Sequence, residues 1–298
     1  MKFSFIITSL GNAGQLQNCV DSIEKADRPG RGTETEILVV FQGVKEGGCD
    51  IKVSNPASCC FYYTDGRGLS SARNYAIGKS KGDLLIFLDD DAEVREDFLR
   101  VLAGHCSEPG ADAFCGKIMA HGTDNAYSLC FNDNRIRNLG RTDFRYFMGS
   151  SHVLKKSAID KIGLYDERFG AGAKYKGAEE TDLFFRLKKK GARIVYVPQL
   201  VYYHPLIYSF KSVDYSYAMG AVLTKQIFSD KKHIFVYLGL IIGTLLKTFL
   251  RVSQHVFFPK SIMLKNSRFR YRLMLSGTVK GMLDYSKDNF GKCARPGN

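Results

Sequence analysis

Apolar runs of strand length alternate with amphipathic segments along the first two thirds of the chain. Strands that are buried on both faces of a sheet are continuously apolar, and four are predicted, at residues 3–8, 36–41, 59–63 and 84–88. Residues 15–25 carry apolar side chains at helical spacing, and a second helix is predicted after a glycine turn, capped by Ser70 or Ser71. Strands that alternate with helices in this way predict an α/β fold, with a mostly parallel sheet flanked by helices.

The same pattern predicts further elements beyond residue 91. Helices are expected at residues 97–103, 155–162 and 179–190, and strands at 113–118, 146–154 and 192–197, the last ending at Pro198. The polar stretch at residues 121–145 is long for a loop in a compact domain, which is typical of functional or mobile segments. Residues 166–177 are rich in glycine, and we expect them to be flexible.

Three consecutive acids, Asp89, Asp90 and Asp91, directly follow the fourth predicted strand. Clustered carboxylates repel one another and are costly to bury unpaired, so they need either solvent or a cation. The carboxyl ends of strands in open α/β sheets are also where ligands bind. We therefore predict a divalent metal at this position, where it would hold a phosphorylated substrate. A solvated acidic turn before the next helix is the alternative.

Acidic side chains also open the helix predicted at residues 179–190. Glu179, Glu180 and Asp182 lie in its first turn, where the helix dipole favours acids without any functional role. Glu180 shares a face with the apolar residues of this helix, whereas Asp182 lies four residues before Arg186, a spacing typical of a surface ion pair. A carboxylate at the head of an apolar face points into a cleft, where desolvation raises its pKa. Glu180 is therefore a candidate general base.

Two phosphate-binding patterns are incomplete in this chain. Residues 78–80, Gly-Lys-Ser, resemble the end of a P-loop, but Arg73 stands where its first glycine belongs. Residues 65–71 approach a dinucleotide-binding glycine motif with Asp89 at about the spacing of the ribose-binding acid, although the third glycine is Ser71. Dinucleotide binding stays open as an alternative. His204 ends an apolar run before a proline, where a histidine is either a packed side chain or a ligand.

Taken in order, these residues resemble the family 2 inverting glycosyltransferases of the GT-A fold. The matching segments are Phe5 to Thr8, Gly68 to Asn74, Phe87 to Asp91, Gly163 to Phe169, Glu179 to Leu183, and Tyr203 with His204. The resemblance implies a Rossmann-like GT-A catalytic domain at residues 1–205. A basic, amphipathic C-terminal helical extension would then occupy residues 206–298.

The resemblance also implies roles for individual residues. A sugar-nucleotide donor would be held through a DXD motif formed by Asp89 and Asp91, with Mn²⁺ or Mg²⁺ as cofactor and Asp91 and His204 as its ligands. Glu180 would be the catalytic base of a one-step, inverting transfer to the acceptor hydroxyl. Glu179 would bind the acceptor, and the implied donor-binding residues are Thr8, Gln42, Arg73, Asp89 and Asp90.

The chain departs from the family pattern at three points. The second strand ends in Phe41-Gln42-Gly43, where the family usually has acids that read the nucleobase, which weakens the case for UDP, the nucleotide that we favour. Glu180 stands where the family usually has Asp, so its carboxyl group reaches further. The chain contains no Trp, and hence no QxxRW motif of processive synthases. We therefore expect the transfer of a single sugar.

The net charge of +13 is concentrated in the C-terminal third of the chain. Residues 204–298 hold 15 Lys and Arg against 4 Asp and Glu, whereas the residues before them hold 28 against 26. Residues 234–246 are uncharged, too short a stretch to span a bilayer comfortably. A second apolar face lies near Arg268, Arg270, Arg272 and Lys280, and consists of Tyr271, Met274, Leu275, Thr278, Val279 and Met282.

A basic helix with one apolar face binds well to an anionic membrane surface, and we expect this of the C-terminal extension. Packing of both segments on the catalytic domain is the alternative. We expect no binding to nucleic acid, because no recognisable binding motif accompanies the charge. The eight cysteines form no CxxC pair, and the N-terminal apolar run is too short for a signal peptide, which indicates the cytoplasm.

The sequence thus predicts a peripheral enzyme on the inner face of the membrane. It would transfer one sugar from a nucleotide-sugar to an acceptor hydroxyl, on a glycan or lipid-linked glycan used in surface polysaccharide synthesis, and a homo-oligomer is compatible with it. Two alternatives stay open. One is a metal-dependent nucleotidyltransferase, and the other is a non-catalytic protein that binds a membrane surface.

Overall fold

The computed structural model describes residues 1–26, 34–106, 110–206, 212–257 and 262–290. The chain divides into two compact units. The first comprises the described parts of Met1–Glu167 and Glu179–Ile207, and the second those of Arg168–Ala178 and Tyr208–Asn298. The short segment Arg168–Ala178 therefore groups with the C-terminal helices, which the sequence pattern did not indicate.

In its described residues, the first unit is built around a mixed nine-stranded sheet. Its strands are β1 (Lys2–Ser9), β2 (Glu34–Gln42), β3 (Cys59–Thr64), β4 (Leu84–Asp89), β5 (Glu93–Val94), β6 (Ala113–Ala120), β7 (Arg137–Asn138), β8 (His152–Lys155) and β9 (Ile194–His204). Their order across the sheet is β3-β2-β1-β4-β8-β6-β9-β5, with β7 paired to β9. The α/β fold expected from the sequence is confirmed.

Strands β1 to β4 form the parallel half of the sheet. The residues of β4 from Leu84 to Leu88 are buried, because helices cover both faces of a parallel sheet of this kind. The register pairs Thr8 of β1 with Asp89 at the carboxyl end of β4. The acids that follow β4 therefore lie at the sheet edge where ligands of open α/β folds bind.

In the other half of the sheet, two strands differ in extent from those predicted. Strand β8 is antiparallel to β4 and β6 and covers only His152–Lys155, because Phe144–Tyr146 forms a short 3-10 turn instead of the start of a strand. Strand β9 does not end at Pro198 but continues to His204.

An irregularity in β9 makes this continuation possible. Gly116 of β6 pairs with Val197, but the next residue, Lys117, pairs with Val201, so residues 198–200 are left out of the ladder. Pro198 is tolerated because it falls within this bulge, where it does not have to donate a ladder hydrogen bond. A Cβ atom on Gly116 would overlap the carbonyl oxygen of Leu200, so glycine is required opposite the bulge.

The helices that accompany the sheet are α1 (Ala13–Lys25), α2 (Leu69–Lys79), α3 (Phe98–Cys106), α4 (Lys156–Ile162) and α5 (Glu179–Lys189). Helix α2 packs on β1 and β2, and α3 packs on β9. The expected serine cap of α2 is wrong. Gly68 is the N-cap residue and no side chain caps the helix, while Ser70 is buried within its first turn.

The part of the second unit that the structure describes contains the helices α6 (Ser212–Ser229), α7 (Ile234–Phe257) and α8 (Ile262–Phe290). Helices α6 and α8 approach closely through glycine: a Cβ atom on Gly220 would overlap the Thr278 carbonyl oxygen, and one on Gly281 would overlap that of Tyr217. Tyr217 also donates a 2.9 Å hydrogen bond to Asp284. Close backbone contact of this kind fixes how α6 and α8 cross.

The segment Arg168–Ala178 makes several internal contacts despite its glycine content. Its backbone folds back on itself through the hydrogen bonds Gly170 N to Gly177 O (3.2 Å) and Tyr175 N to Arg168 O (2.8 Å). Phe169 and Tyr175 are fully buried, and the Tyr175 hydroxyl donates to Asp288 of α8. Aromatic packing and backbone hydrogen bonds thus hold this segment, and its expected flexibility stays a prediction.

The apolar face expected on the last helix is only partly present. Thr278 is buried against α6, whereas Val279 is exposed. The buried face of this helix includes Thr278, Gly281 and Tyr285. The side chain of Tyr271 and those of the nearby residues Arg268, Arg270 and Arg272 lie outside the described residues. Within the described residues, none of the helices has the length and apolar character that crossing a membrane requires.

Candidate active site

Asp89, Asp91 and His204 form a cluster at the carboxyl end of β4. His204 Nε2 lies 3.3 Å from Asp91 Oδ1 and 3.7 Å from Asp89 Oδ2. One ligand atom from each residue lies within 4.8 Å of the others, a spacing that fits a single metal ion. The DXD motif and the distant histidine expected from the sequence therefore meet, because β4 and β9 both end at this edge.

The hydrogen bonding of His204 fits a metal ligand. Its Nδ1 lies 2.8 Å from the carbonyl oxygen of Pro205, so that nitrogen carries the proton and donates it. The lone pair of a neutral ring is then on Nε2, which faces the two carboxylates. Histidine ligands usually donate their second ring N–H to a carbonyl or carboxylate in this manner. Two carboxylate oxygens and one imidazole nitrogen suit Mn²⁺, and Mg²⁺ is also compatible with the carboxylates.

The charges of this cluster depend on one another. Burial opposes ionisation of Asp89, but its contact with His204 and the charge of Arg73 outweigh burial and hold its pKa below the usual value. Burial also disfavours the charged form of His204, but Asp89 and Asp91 outweigh it and raise the pKa of the ring. The site is therefore strongly anionic at the two carboxylates and favours a cation between them.

Asp90 is directed away from this cluster. Its Oδ2 accepts a 2.5 Å hydrogen bond from the hydroxyl of Ser9, at the end of β1, and that hydroxyl accepts one of 3.0 Å from the backbone N–H of Gly11. Burial raises the pKa of Asp90, and the charges of Asp89 and Asp91 add to this effect. Thr8, beside Ser9, is 6% exposed. The donor-binding roles of Thr8 and Asp90 stay predictions.

Gln42 holds the turn before α2. Its Oε1 accepts a 2.8 Å hydrogen bond from the backbone N–H of Gly68, the N-cap residue of that helix. The side chain thus links the carboxyl end of β2 to the glycine turn that sequence analysis compared with a dinucleotide-binding motif. Its expected contact with a donor stays a prediction.

Arg73 is fully buried and joins β4 to α5. Its guanidinium donates to Asp89 Oδ1 (3.1 Å), to Glu179 Oε1 (3.0 Å) and to the carbonyl oxygen of Gly149 (3.0 Å). The rings of Phe87 and Tyr165 lie 5.9 and 5.7 Å from its central carbon. Arg73 therefore connects the metal-binding candidates to the start of the helix that carries Glu179 and Glu180. Its contact with a donor stays a prediction, as does the contact of Glu179 with an acceptor.

Asn74 binds the backbone of a distant loop. Its side-chain oxygen accepts from Tyr165 N (2.9 Å), and its amide nitrogen donates to Tyr165 O (3.0 Å) and to Glu167 Oε1 (3.0 Å). The two segments that sequence analysis noted separately, Gly68 to Asn74 and Gly163 to Phe169, are thus partners. Their pairing holds the Tyr165 ring beside Arg73.

Glu180 lies at the head of the apolar face of α5, as its spacing predicts. It is 9% exposed, and Thr181 donates a 3.1 Å hydrogen bond to its Oε1. Burial raises the pKa of Glu180 to about 8, and the neighbouring charge of Glu179 contributes. Once ionised, a carboxylate with such a pKa accepts a proton more readily than that of an ordinary glutamate.

The prediction that Asp182 and Arg186 form a surface ion pair is wrong. Asp182 pairs with Arg186 at 2.9 Å as its spacing suggests, but Asp182 is fully buried and the Arg186 side chain is 19% exposed. The pair is therefore internal, and Arg186 also donates to the carbonyl oxygens of Ile162 and Gly163 at the end of α4. Helix packing, which the i to i+4 spacing does not reveal, buries this pair.

Sequence reasoning missed several residues of the site. They are Ser9, Tyr127, His152 and Tyr165. The Tyr127 ring centroid lies 5.2 Å from that of His204. Burial lowers the pKa of His152 to about 3, so its ring is neutral, and its Nε2 lies 2.6 Å from the Tyr165 hydroxyl. Tyr165 lies in the segment Gly163 to Phe169 that resembles the family, but no role was assigned to it. Ser9 carried a signal because it ends a strand beside the acids of β4, whereas no signal marked Tyr127 or His152.

The fold and the Asp–Asp–His cluster place the chain in the GT-A class. Residues 4–162 match the model of Glycosyl transferase family 2, and residues 84–282 match that of Glycosyl transferase family group 2. The chain belongs to glycosyl transferase family 2.

The succinoglycan biosynthesis protein ExoM of Rhizobium meliloti (strain 1021) is 27% identical over 154 residues, which cover 51% of this chain and 49% of ExoM. The chain spans half or less of the length of several curated relatives that it matches.

Two solved structures share the fold. The mannosyltransferase PcManGT from Pyrobaculum calidifontis, in complex with GDP-Man and Mn²⁺, matches with a TM-score of 0.63 at 12% identity, over 95% of this chain and 87% of that one. S. aureus TarS 1-349 in complex with UDP-GlcNAc matches with a TM-score of 0.61 at 13% identity, over 100% of this chain and 93% of that one. The expected GT-A fold is confirmed.

Proposed function

We propose that this protein transfers a single sugar from a nucleotide-sugar to an acceptor hydroxyl, with inversion at the anomeric carbon. One observation carries the proposal: Arg73 joins the Asp89–Asp91–His204 cluster to the first turn of α5, where Glu180 is buried with a raised pKa. The proposed metal ligands and the helix turn that carries the proposed base are thus linked by one buried side chain. The match to glycosyl transferase family 2 supports the same activity.

The donor side of the site is the carboxyl edge of β1, β2 and β4. Asp89, Asp91 and His204 would hold Mn²⁺ or Mg²⁺, which supplies charge neutralisation for the departing nucleoside diphosphate. Thr8, Gln42, Arg73 and Asp90 complete the proposed donor-binding set. A UDP-sugar is the favoured donor, and a structural relative in complex with UDP-GlcNAc supports it.

Glu180 is the proposed base. Its carboxylate accepts the proton of the acceptor hydroxyl while the acceptor oxygen forms a bond to the anomeric carbon. The bond from that carbon to the diphosphate oxygen breaks on the opposite face, and the electron pair leaves with the nucleotide. Burial of Glu180 makes its carboxylate a stronger base, which assists removal of this proton. Glu179, held by Arg73, would orient the acceptor beside it.

The proposed acceptor is a glycan, carried by a lipid and used to build a surface polysaccharide. The relative ExoM is a succinoglycan biosynthesis protein, which supports this acceptor class. The absence of Trp from the sequence, and hence of a QxxRW motif, supports one transfer per acceptor. A lipid-linked acceptor requires the enzyme to reach a membrane, and we place it peripherally on the inner face.

A thermal-shift screen tests the donor assignment. UDP-, GDP- and dTDP-sugars are added with and without Mn²⁺, and we expect stabilisation by a UDP-sugar that requires the metal and is lost in Asp91→Ala. Glu180→Gln should keep that stabilisation and lose transfer, because it removes the proton acceptor only. Full transfer by either variant overturns the assignment. Stabilisation and turnover of a nucleoside triphosphate instead would identify a nucleotidyltransferase.

A further inference from the structure

Helix α7 presents a row of large apolar side chains to solvent. Phe235, Leu238, Ile242, Leu246 and Phe249 recur at intervals of 3, 4, 4 and 3 residues, so they lie on one face, which we call the apolar face of α7. Their exposed fractions are 83%, 37%, 62%, 53% and 58%. Contiguous exposed apolar surface is uncommon on soluble proteins and marks a site of interaction with a partner or a membrane.

The opposite face of α7 is already used. Tyr237 is fully buried and Ile241 is 4% exposed, and the Tyr237 hydroxyl donates a 2.7 Å hydrogen bond to Asp230, just before the helix. These contacts hold α7 to the rest of its unit with a defined side facing outward. The exposure of the apolar face therefore follows from a fixed orientation of the helix.

The charges around this face are positive. Lys231 and Lys232 are exposed directly before α7, and Lys247 is exposed at the margin of the apolar face. The sequence of α7, Ile234–Phe257, contains no Asp or Glu. Residues 204–298 together carry 15 Lys and Arg against 4 Asp and Glu. A partner for this face must be apolar at its centre and anionic at its margin.

We infer that the apolar face of α7 lies in the interface of an anionic lipid bilayer, with Lys231, Lys232 and Lys247 at the level of the headgroups. A helix with these features binds parallel to the surface and buries its apolar side chains at the boundary of the acyl chains. The inference rests on the proposed membrane attachment, and not on the proposed chemistry.

A second copy of the chain fits this face less well. It would bring its own three lysines to the contact, and α7 offers no acidic side chain to neutralise them. The exposed glycines Gly239 and Gly243 would permit close helix pairing, but they do not compensate these charges. An anionic bilayer offers both headgroups that neutralise the lysines and acyl chains that contact the apolar side chains.

Flotation of the full-length protein with vesicles tests the inference. Vesicles of phosphatidylcholine with about a third of phosphatidylglycerol should bind the protein, and Ile242→Glu should lower the partition coefficient at least about tenfold, because it places a charge among the acyl chains. Lys231→Ala with Lys232→Ala should lower it at least about fivefold and reduce its salt dependence. Leu129→Glu is the matched control, since Leu129 is 88% exposed in the other unit.

Each outcome decides the question. Ile242 is 62% exposed, so Ile242→Glu should keep the wild-type melting temperature, and Phe235→Ser gives the same test if it does not. The inference is overturned if wild type and both variants bind the anionic vesicles equally. It is also overturned if the wild-type protein binds neutral vesicles as well as anionic ones, or binds neither. A dimer that Ile242→Glu dissociates without changing vesicle binding also overturns it. Donor-induced thermal shifts, measured in the same samples, report separately on the proposed function.

Discussion

Arg73 and Glu179 are 106 residues apart in sequence, and their side chains form a buried ion pair of 3.0 Å. The exposed fractions of the two side chains are 0% and 6%. The same guanidinium reaches Asp89 and the backbone of Gly149, so one side chain determines the relative positions of β4, α5 and the loop before β8. The geometry of the site depends on this single cation.

Arg73→Lys should destabilise the protein strongly. A lysine ammonium cannot contact Asp89, Glu179 and Gly149 with the geometry of a planar guanidinium, and a buried carboxylate would lose its partner. We expect the free energy of unfolding, measured in urea, to fall by about 3–5 kcal/mol.

Arg95→Lys is the matched control for that variant. Arg95 pairs with Asp97 at 2.6 Å, but its side chain is 38% exposed, so we expect a loss of about 0–1 kcal/mol. A loss at Arg73 no larger than that at Arg95 would contradict the role of Arg73 as the connection between these elements.

Glu180→Gln should change stability in a manner that depends on pH. The folded protein holds the Glu180 proton up to a pKa of about 8, against 4.5 for an ordinary glutamate, so this group favours folding below pH 4.5 and loses that contribution as pH rises through 8. Glutamine has no proton to lose. The variant should therefore match wild type near pH 4.5 and melt higher near pH 8.5, by about 2–4 °C for each kcal/mol regained.

Calorimetry between pH 4.5 and 8.5 measures the difference in melting temperature between wild type and Glu180→Gln. Glu96→Gln is the control at an exposed position. The transfer rate of wild type should rise over the same interval, towards a midpoint of about 8, because only the ionised carboxylate accepts a proton. Parallel melting curves for wild type and Glu180→Gln at all pH values would show that Glu180 is not held protonated.

Asn74→Ala should destabilise the loop around Tyr165. The substitution leaves the buried N–H and C=O of Tyr165 without their partners at 2.9 and 3.0 Å, and each such group costs about 1–3 kcal/mol. Urea unfolding measures the loss. Asn138→Ala is the control, because Asn138 is exposed and its side-chain oxygen accepts a hydrogen bond from Arg193. Equal losses in the two variants would contradict the proposed pairing.

The pattern of apolar residues along the chain was sufficient to predict the parallel half of the sheet and the helix face that carries the candidate base. Buried parallel strands are continuous apolar runs, and a helix face is visible in the spacing of its apolar residues, so β1, β2, β4 and the orientation of Glu180 could be predicted. The order of Asp89, Asp91 and His204 along the chain was informative only together with the resemblance to a known family.

Other features depend on distant contacts that no local pattern records. Strand β8 has only four residues and is defined by its neighbours β4 and β6. Arg73 lies on a helix whose spacing gave no sign that its guanidinium would be buried between Asp89 and Glu179. Asp182 likewise has the spacing of a surface residue, and burial follows only from how α5 packs.

The bulge divides β9 into two segments that both pair with β6. Residues before it pair with β6 inside the sheet, and residues after it resume pairing until His204 stands opposite Ala120. Residues 198–200 have no partner in the β6 ladder, so β9 accommodates three extra residues there while the pairs on both sides are kept. Strand β9 has 11 residues against 8 in β6, and His204 still lies opposite the last residue of its neighbour.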